Sequence, residues 1–201
     1  HEDNPYLLPE LLADTGDGHH VVSTVFMECG AMYRAEGPVA EAPIGETEFV
    51  NGIAAMSASG QYGPARACAG IVGFADLSLG VNVGPILDAH MALSRRFRGI
   101  RHAAGWDASD AVRNSHTNPP RHLLGDDTFR QGVAELEKRN LSFDAWLYHL
   151  QIPELVELAQ DFPSLKIVAD HFCGPLGIGP YVGQQQAVYA QWQTDFKALA
   201  A

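Results

Sequence analysis

Five times in succession, a short β-branched or apolar run gives way to a longer stretch with apolar residues three and four apart. This alternation limits the fold more than any other feature of the chain. The runs are Val21–Met27, Ala67–Phe74, Phe97–His102, Leu141–Tyr148 and Lys166–Ala169. Between them, helical spacing is carried by Phe49, Ile53 and Met56, and by Val83, Ile86, Leu87 and His90. It continues with Phe129, Val133 and Leu136, with Leu155, Leu158 and Phe162, and after the last run with Val188, Trp192, Phe196 and Leu199. Asp126 or Asp127 can cap the third of these helices, and Pro153 can open the fourth. Strand–helix alternation of this kind builds an α/β fold on a parallel sheet. The runs Ile71-Val72 and Ile167-Val168-Ala169 are apolar without alternation, as strands covered on both faces are. Each unit takes roughly 40 residues by this reading, and no linker or low-complexity tract interrupts the series. Residues 1–201 therefore read as a single architecture.

Charge narrows the partners. The chain holds 24 acids against 13 bases, a formal charge of −11. Nucleic acid and anionic membrane both need a basic face, and the densest basic group is only Arg95, Arg96, Arg98 and Arg101. One or two arginines still suffice for a small anionic substrate. Three cysteines, Cys29, Cys68 and Cys173, are odd in number and lack C-x-x-C spacing, which favours a reducing cytoplasm over a disulfide framework. No apolar run reaches the roughly 18 residues needed to span a bilayer. The polar opening His1-Glu2-Asp3-Asn4-Pro5 is not a signal peptide.

In parallel α/β folds the chemistry sits at the carboxyl ends of the strands. Those ends present Glu28 and Cys29, Gly73 and Asp76, Arg101 and His102, Tyr148 and His149, and Asp170 and His171. Three of the five end in a polar residue followed by histidine, a pattern that points to a site. His149 and His171 lie on adjacent strands, roughly 5 to 10 Å apart, close enough to bracket one metal ion or one substrate. Arg101 closes an apolar strand and must meet a carboxylate, either a substrate's or the protein's own Glu28. Asp170 is expected to face away from His171 and anchor a loop or helix, and His102 to face away from Arg101. Gly177–Gly183 lacks the G-x-G-x-x-G spacing and contains Pro180, so a phosphate loop is a poor reading. No G-x-S-x-G elbow occurs, which disfavours a serine hydrolase, and no glycine fingerprint follows the first strand, which disfavours a dinucleotide-binding dehydrogenase.

Several segments together resemble amidohydrolase family 2. They are Val25-Phe26-Met27-Glu28-Cys29-Gly30-Ala31-Met32-Tyr33-Arg34, Gly45-Glu46-Thr47-Glu48-Phe49-Val50, Ala69-Gly70-Ile71-Val72-Gly73 and Phe97-Arg98-Gly99-Ile100-Arg101-His102. Leu147-Tyr148-His149-Leu150-Gln151-Ile152-Pro153-Glu154-Leu155 and Asp170-His171-Phe172-Cys173-Gly174-Pro175 extend the match in the family's order. The resemblance implies a TIM-type (β/α) barrel and a metal-dependent hydrolase of the lactonase-like group. It matches His149 to the histidine after the fifth barrel strand and His171 to the one after the sixth, both catalytic and, as in the wider superfamily, both metal-binding, with zinc as the possible divalent ion; in the lactonase branch the latter can instead polarise the substrate carbonyl. It makes Arg101 the fourth-strand arginine that can pair with a substrate carboxylate; Tyr148 and Glu28, from their places at strand ends, are further candidate substrate contacts. The family's opening His-x-His strand and its eighth-strand Asp have no counterpart here. About five of eight βα units are therefore expected, the first, seventh and eighth strands being absent.

The expected activity is attack of water on the carbonyl of a lactone or related cyclic ester of a small carboxylated molecule, with the 201 residues alone inactive. Competing readings are a decarboxylase on the same barrel and an inactive fragment or binding module. Two uncovered sheet edges would favour association of copies into a homo-oligomer.

Overall fold

A computed structural model describes residues 6–115 and 117–201. The opening His1–Pro5, read above as no signal peptide, lies outside the described residues. The chain gathers into two compact units, His1–Gly73 with Asp88–Arg98, and Phe74–Leu87 with Gly99–Ala201.

The first unit opens with a helix that strand-first reading misses, α1 (Leu8–Gly16). Pro9 sits in its first turn, where no backbone donor is needed, and the Glu10 carboxylate accepts from the Leu7 N–H at 2.8 Å. Strand β1 (Ser23–Met27) is two residues shorter than its apolar run and pairs in parallel with β2 (Arg66–Gly73), Val25 opposite Gly70 and Met27 opposite Val72. Between them runs α2 (Ile44–Ala58). Its buried stripe is Thr47, Val50, Ala54 and Ser57, not the expected Phe49, Ile53 and Met56. Polar groups can be buried there because each has a partner. The Thr47 hydroxyl meets His90 Nδ1 at 2.8 Å, and the Ser57 hydroxyl donates to the Ala65 carbonyl and accepts from the Ala67 N–H. Phe49 and Ile53 instead join Leu8, Leu11 and Met27 around an apolar cavity of about 380 Å³.

A helix α3 (Gly84–Leu93) leads into strand β3 (Phe97–Ala103), and both pass from one unit to the other. In the first unit, Ile71 of β2 donates to the Arg96 carbonyl just before β3. In the second, β3 pairs in parallel with β4 (Ser142–Trp146), and β4 with β5 (Lys166–Ala169). Ile71 and Val72 are buried, as their apolar run predicts. The run Ile167-Val168-Ala169 is not: Val168 is exposed and its neighbours are half-buried, because β5 ends the strand order and is covered less than an inner strand. The expected helix start at Val83 is a 3-10 segment, Leu77–Val83, broken at Gly80, where φ is 59°. Helix α4 (Asp127–Lys138) is capped by Asp126, whose carboxylate accepts from the Thr128 and Phe129 N–H groups. Helices α5 (Ile152–Asp161) and α6 (Gln185–Leu199) follow β4 and β5. Phe129, Leu136, Phe143, Ile152, Leu155 and Leu158 are fully buried and form the core of this unit.

Each strand is followed by at least one helical segment, and strands adjacent in sequence are neighbours within each unit. This is the α/β fold expected, five βα units of a TIM-type barrel. Among the described residues, no helix is long and apolar enough to cross a membrane.

Candidate active site

Register places an ionisable layer on one pleat face of the second unit. Arg101 of β3 lies directly opposite Asp144 of β4, and parallel partners share a face. Asp170, one residue past β5, brings its carboxylate to 3.9 Å from the Arg101 guanidinium. Asp170 thus faces the pleat and anchors an arginine, not the loop or helix expected from its sequence position. Asp144 is 3% exposed. Burial pushes its carboxyl up to about 6, helped by the nearby Asp170 and opposed by the Ser142 hydroxyl and by Arg101. Ser142 Oγ donates to Asp144 Oδ1 at 2.7 Å. That hydroxyl occupies space only glycine can leave open, because a Cβ on Gly99 would lie 1.9 Å from it.

His102 projects to the opposite face, as expected. Its ring packs against Phe74 and Phe129, and its Nε2 lies 3.5 Å from Asp76 Oδ1. This contact holds the Asp76 carboxyl below its ordinary range.

Beyond β4 the chain leaves the ladder at Leu147 and turns through a 3-10 segment that begins at His149. His149 is 2% exposed. Its Nδ1 accepts from the Leu176 N–H at 3.4 Å, and the Tyr181 ring meets it edge-on at 5.5 Å. Burial lowers its pKa and favours the neutral ring, against the pull of Asp107 and Asp195. Tyr181 donates to Asp107 Oδ2 at 2.6 Å, which ties the glycine-rich loop to the loop after β3. The segment that makes a poor phosphate loop therefore serves to place Tyr181. The Tyr148 hydroxyl donates to the Arg113 carbonyl. Gln151 Nε2 donates to the Trp106 carbonyl at 2.9 Å, while its Oε1 accepts from the Tyr148 N–H.

His171 sits differently. It opens a left-handed run, with φ of 51° at His171, 53° at Phe172 and 58° at Cys173, ending at Gly174. Such angles cost a non-glycine residue roughly 1–2 kcal/mol each. The turn leaves His171 exposed, whereas His149 is buried against the loop at 174–181.

Glu28 belongs to the first unit. It is 2% exposed, and its N–H donates to the Val72 carbonyl at 2.9 Å. Glu46, in the first turn of α2, is 1% exposed. One oxygen accepts from the Cys29 and Ala31 N–H groups at 3.1 and 2.8 Å, folding the loop after β1 onto the helix. Burial raises the Glu46 carboxyl, and Glu28 adds to the rise. Gly45 permits the close approach, since a Cβ there would lie 2.5 Å from the Met32 carbonyl oxygen. Glu46→Ala is expected to lower stability by about 2–3 kcal/mol by stranding two N–H groups, while Glu46→Gln, which keeps an acceptor, changes it little. Urea unfolding of the two variants checks this, and an equal loss in both would discard the hydrogen-bonding account.

Sequence reasoning misses Asp144, Gln151 and Glu46. For Asp144 a signal is available: an acid inside an otherwise apolar strand, two residues after a serine on the same face.

This parallel strand–helix chain, with an arginine, an aspartate and a buried histidine at or just past its strand ends, can be compared with known hydrolases. The family model described as amidohydrolase matches residues 64–198, and the chain belongs to that family. It is 34% identical over 195 residues to the uncharacterized protein y4mH of Sinorhizobium fredii. That match covers 97% of this chain and 56% of the relative. The fold is similar to that of an amidohydrolase from Burkholderia multivorans crystallised with bound zinc, at TM-score 0.60 and 22% identity, over 98% of this chain and 56% of that one. A second structure of an amidohydrolase from the same organism, with bound HEPES, aligns at TM-score 0.51 and 20% identity, over 90% and 67%. The chain thus spans just over half the length of the curated relative.

Proposed function

We propose that the protein hydrolyses a lactone or related cyclic ester of a small carboxylated molecule. The supporting observation is the family match, which spans the segments carrying Arg101, His149 and His171. Arg101 orients the substrate carboxylate. His149 is a neutral imidazole whose Nδ1 lone pair is used by the Leu176 N–H, so its ring proton lies on Nε2 and can be donated to a developing oxyanion. His171, exposed on its turn, takes a proton from the attacking water and returns it to the ring oxygen as the carbonyl–oxygen bond breaks. The product is the open hydroxy acid. Tyr148 frames the substrate by its ring. Copies of the chain are proposed to associate, and the cytoplasm is the proposed location.

The zinc in the Burkholderia amidohydrolase supports a divalent metal as a possible cofactor of the whole protein. His149 and His171 are the ligands the sequence leads one to expect. Among the described residues, no group of three His, Cys, Asp or Glu is placed to hold a metal ion. In the hydrogen-bonding state of His149 its Nε2 carries the proton, not a lone pair. The described residues therefore do not make up a metal site, and the steps above use none.

The test is ring opening of a lactone panel by the full-length protein, with and without added zinc. Turnover of carboxylated lactones is expected, with kcat lowered roughly 10²–10⁴-fold in His149→Asn and in His171→Asn. Carbon dioxide release without ring opening would favour the decarboxylase, and inertness toward every lactone would remove the lactone reading.

A further inference from the structure

We infer that Asp144 is a specificity-determining residue, which together with Asp170 sets how much of the Arg101 charge is available to an anionic substrate. The inference rests on the reading that Arg101 meets a substrate carboxylate. It deepens that reading by naming what competes for the same guanidinium.

The geometry is that of one cation between two acids on a single pleat face. Asp144 lies opposite Arg101 in the β3–β4 register, and the Asp170 carboxylate is 3.9 Å from the guanidinium. Arg101 keeps 19% of its side chain exposed, so a ligand can reach it, while the Asp170 side chain is 8% exposed and Asp144 3% exposed. With both acids ionised, the cluster carries a net charge of −1, and an incoming carboxylate meets repulsion as well as the arginine. With Asp144 protonated, the cluster is neutral, and the guanidinium has one competitor fewer.

Among the described residues, three charged or polar groups are seen to act on Asp144. Ser142 on its own strand donates to it, Arg101 faces it from β3 and Asp170 from the end of β5. Gly99 presents no side chain, and the Lys166 amino group is held by Asn140 Oδ1 at 2.7 Å. The Asp144 carboxyl titrates near 6 in these surroundings, so the change of charge falls within a working pH range. Burial of this kind is tolerated at functional sites more often than in plain cores.

This arrangement predicts a substrate preference with a pH dependence of its own. Cyclic esters whose own negative charge is constant across this range should bind better below pH 6 than above it, and neutral ones equally on both sides. The Ser142 hydroxyl holds Asp144 in place, so a side chain of the same shape without charge would release Arg101 at every pH.

The experiment uses methanesulfonate, an anion whose charge is constant from pH 5 to 8, and dimethyl sulfone as its neutral counterpart. Each is titrated into the full-length protein by calorimetry at pH 5.0 and 7.5. Methanesulfonate affinity is expected to fall roughly five- to tenfold from pH 5.0 to 7.5 in the wild-type protein. In Asp144→Asn it should be independent of pH and, at pH 7.5, tighter than wild type by a similar factor. Asp144→Glu should restore the pH dependence, and dimethyl sulfone should show none in any variant. Wild-type binding that does not vary with pH, or an Asp144→Asn protein that binds no tighter at pH 7.5, would overturn the inference and leave the assignment of Arg101 standing. Absence of methanesulfonate binding in both proteins would overturn both. The lactone panel separately decides the hydrolytic reading, since it reads ring opening and not anion affinity.

Discussion

Gly132→Ala is expected to cost about 3 kcal/mol of stability, lowering Tm by roughly 6–12 °C. Gly132 lies inside α4, where it packs on the 3-10 segment Leu77–Val83. A Cβ at that position would lie 2.1 Å from the Leu77 carbonyl oxygen and 2.9 Å from its carbonyl carbon. Both are backbone atoms, so no rotamer change relieves the clash, and helix and segment must move apart. Intrinsic propensity works the other way, since alanine is the better helix former by about 1 kcal/mol. The comparison with Gly52 of α2 separates the two effects. A Cβ there meets nothing within 4 Å, and Gly52→Ala is expected to raise stability by about 0.5–1 kcal/mol. Thermal unfolding of both variants checks the argument. A Gly132→Ala protein as stable as wild type would show that the close contact carries no weight.

Arg101→Met is expected to destabilise the protein by about 3 kcal/mol at pH 7.5, and by clearly less at pH 5. Methionine fills much of the same volume but removes the cation from beside two shielded acids. The sign of the pH effect follows from Asp144. Its carboxyl is raised from the ordinary 3.8 to about 6, so the folded state holds its proton more tightly than the unfolded chain does. The contribution of Asp144 to stability is therefore full below about pH 3.8 and is lost as pH rises through about 6. Without Arg101 the carboxyl is pushed further up, and the loss extends to higher pH. Urea unfolding at the two pH values measures this, and an equal penalty at both would mean that the guanidinium does not neutralise Asp144.

The fold is legible where burial and periodicity agree. Ile71 and Val72, apolar neighbours in one run, are both buried in the strand that their composition indicates, and Asp126 caps α4 as an aspartate before an apolar stripe should. Pattern alone fails where a polar side chain is buried with a partner elsewhere in the chain. Thr47 and Ser57 define the inner face of α2 through bonds to His90 and to Ala65 and Ala67, and no local pattern announces such partners. Helix α1 escapes a reading that starts from β-branched runs because its leucines precede the first of them, although Pro9 and Glu10 mark its first turn.

The site is half legible for a related reason. Strand ends are found by periodicity, so Arg101, Tyr148, His149 and His171 stand out. What holds them is long-range: Asp170 across two strands from Arg101, and Tyr181 at the His149 ring. Asp144 is hidden by its position in mid-strand, since chemistry is sought in the residues after each strand and not on the faces within it. The left-handed turn at 171–173 has no sequence signal either, because Phe172 and Cys173 carry no preference for positive φ.

The absent side chain at Gly99 has an evolutionary consequence. The slot in front of it is filled by the Ser142 hydroxyl, which in turn fixes the Asp144 carboxylate. Neither position can drift alone: a side chain at 99 displaces the serine, and loss of the serine leaves a void and an acid short of a donor. Exchanging the two residues offers no way round, since a Cβ at 99 would also lie 2.6 Å from the backbone carbonyl oxygen of residue 142, an atom that any residue there keeps. Inheritance of the charge balance around Arg101 is thus coupled to a residue defined by having no side chain.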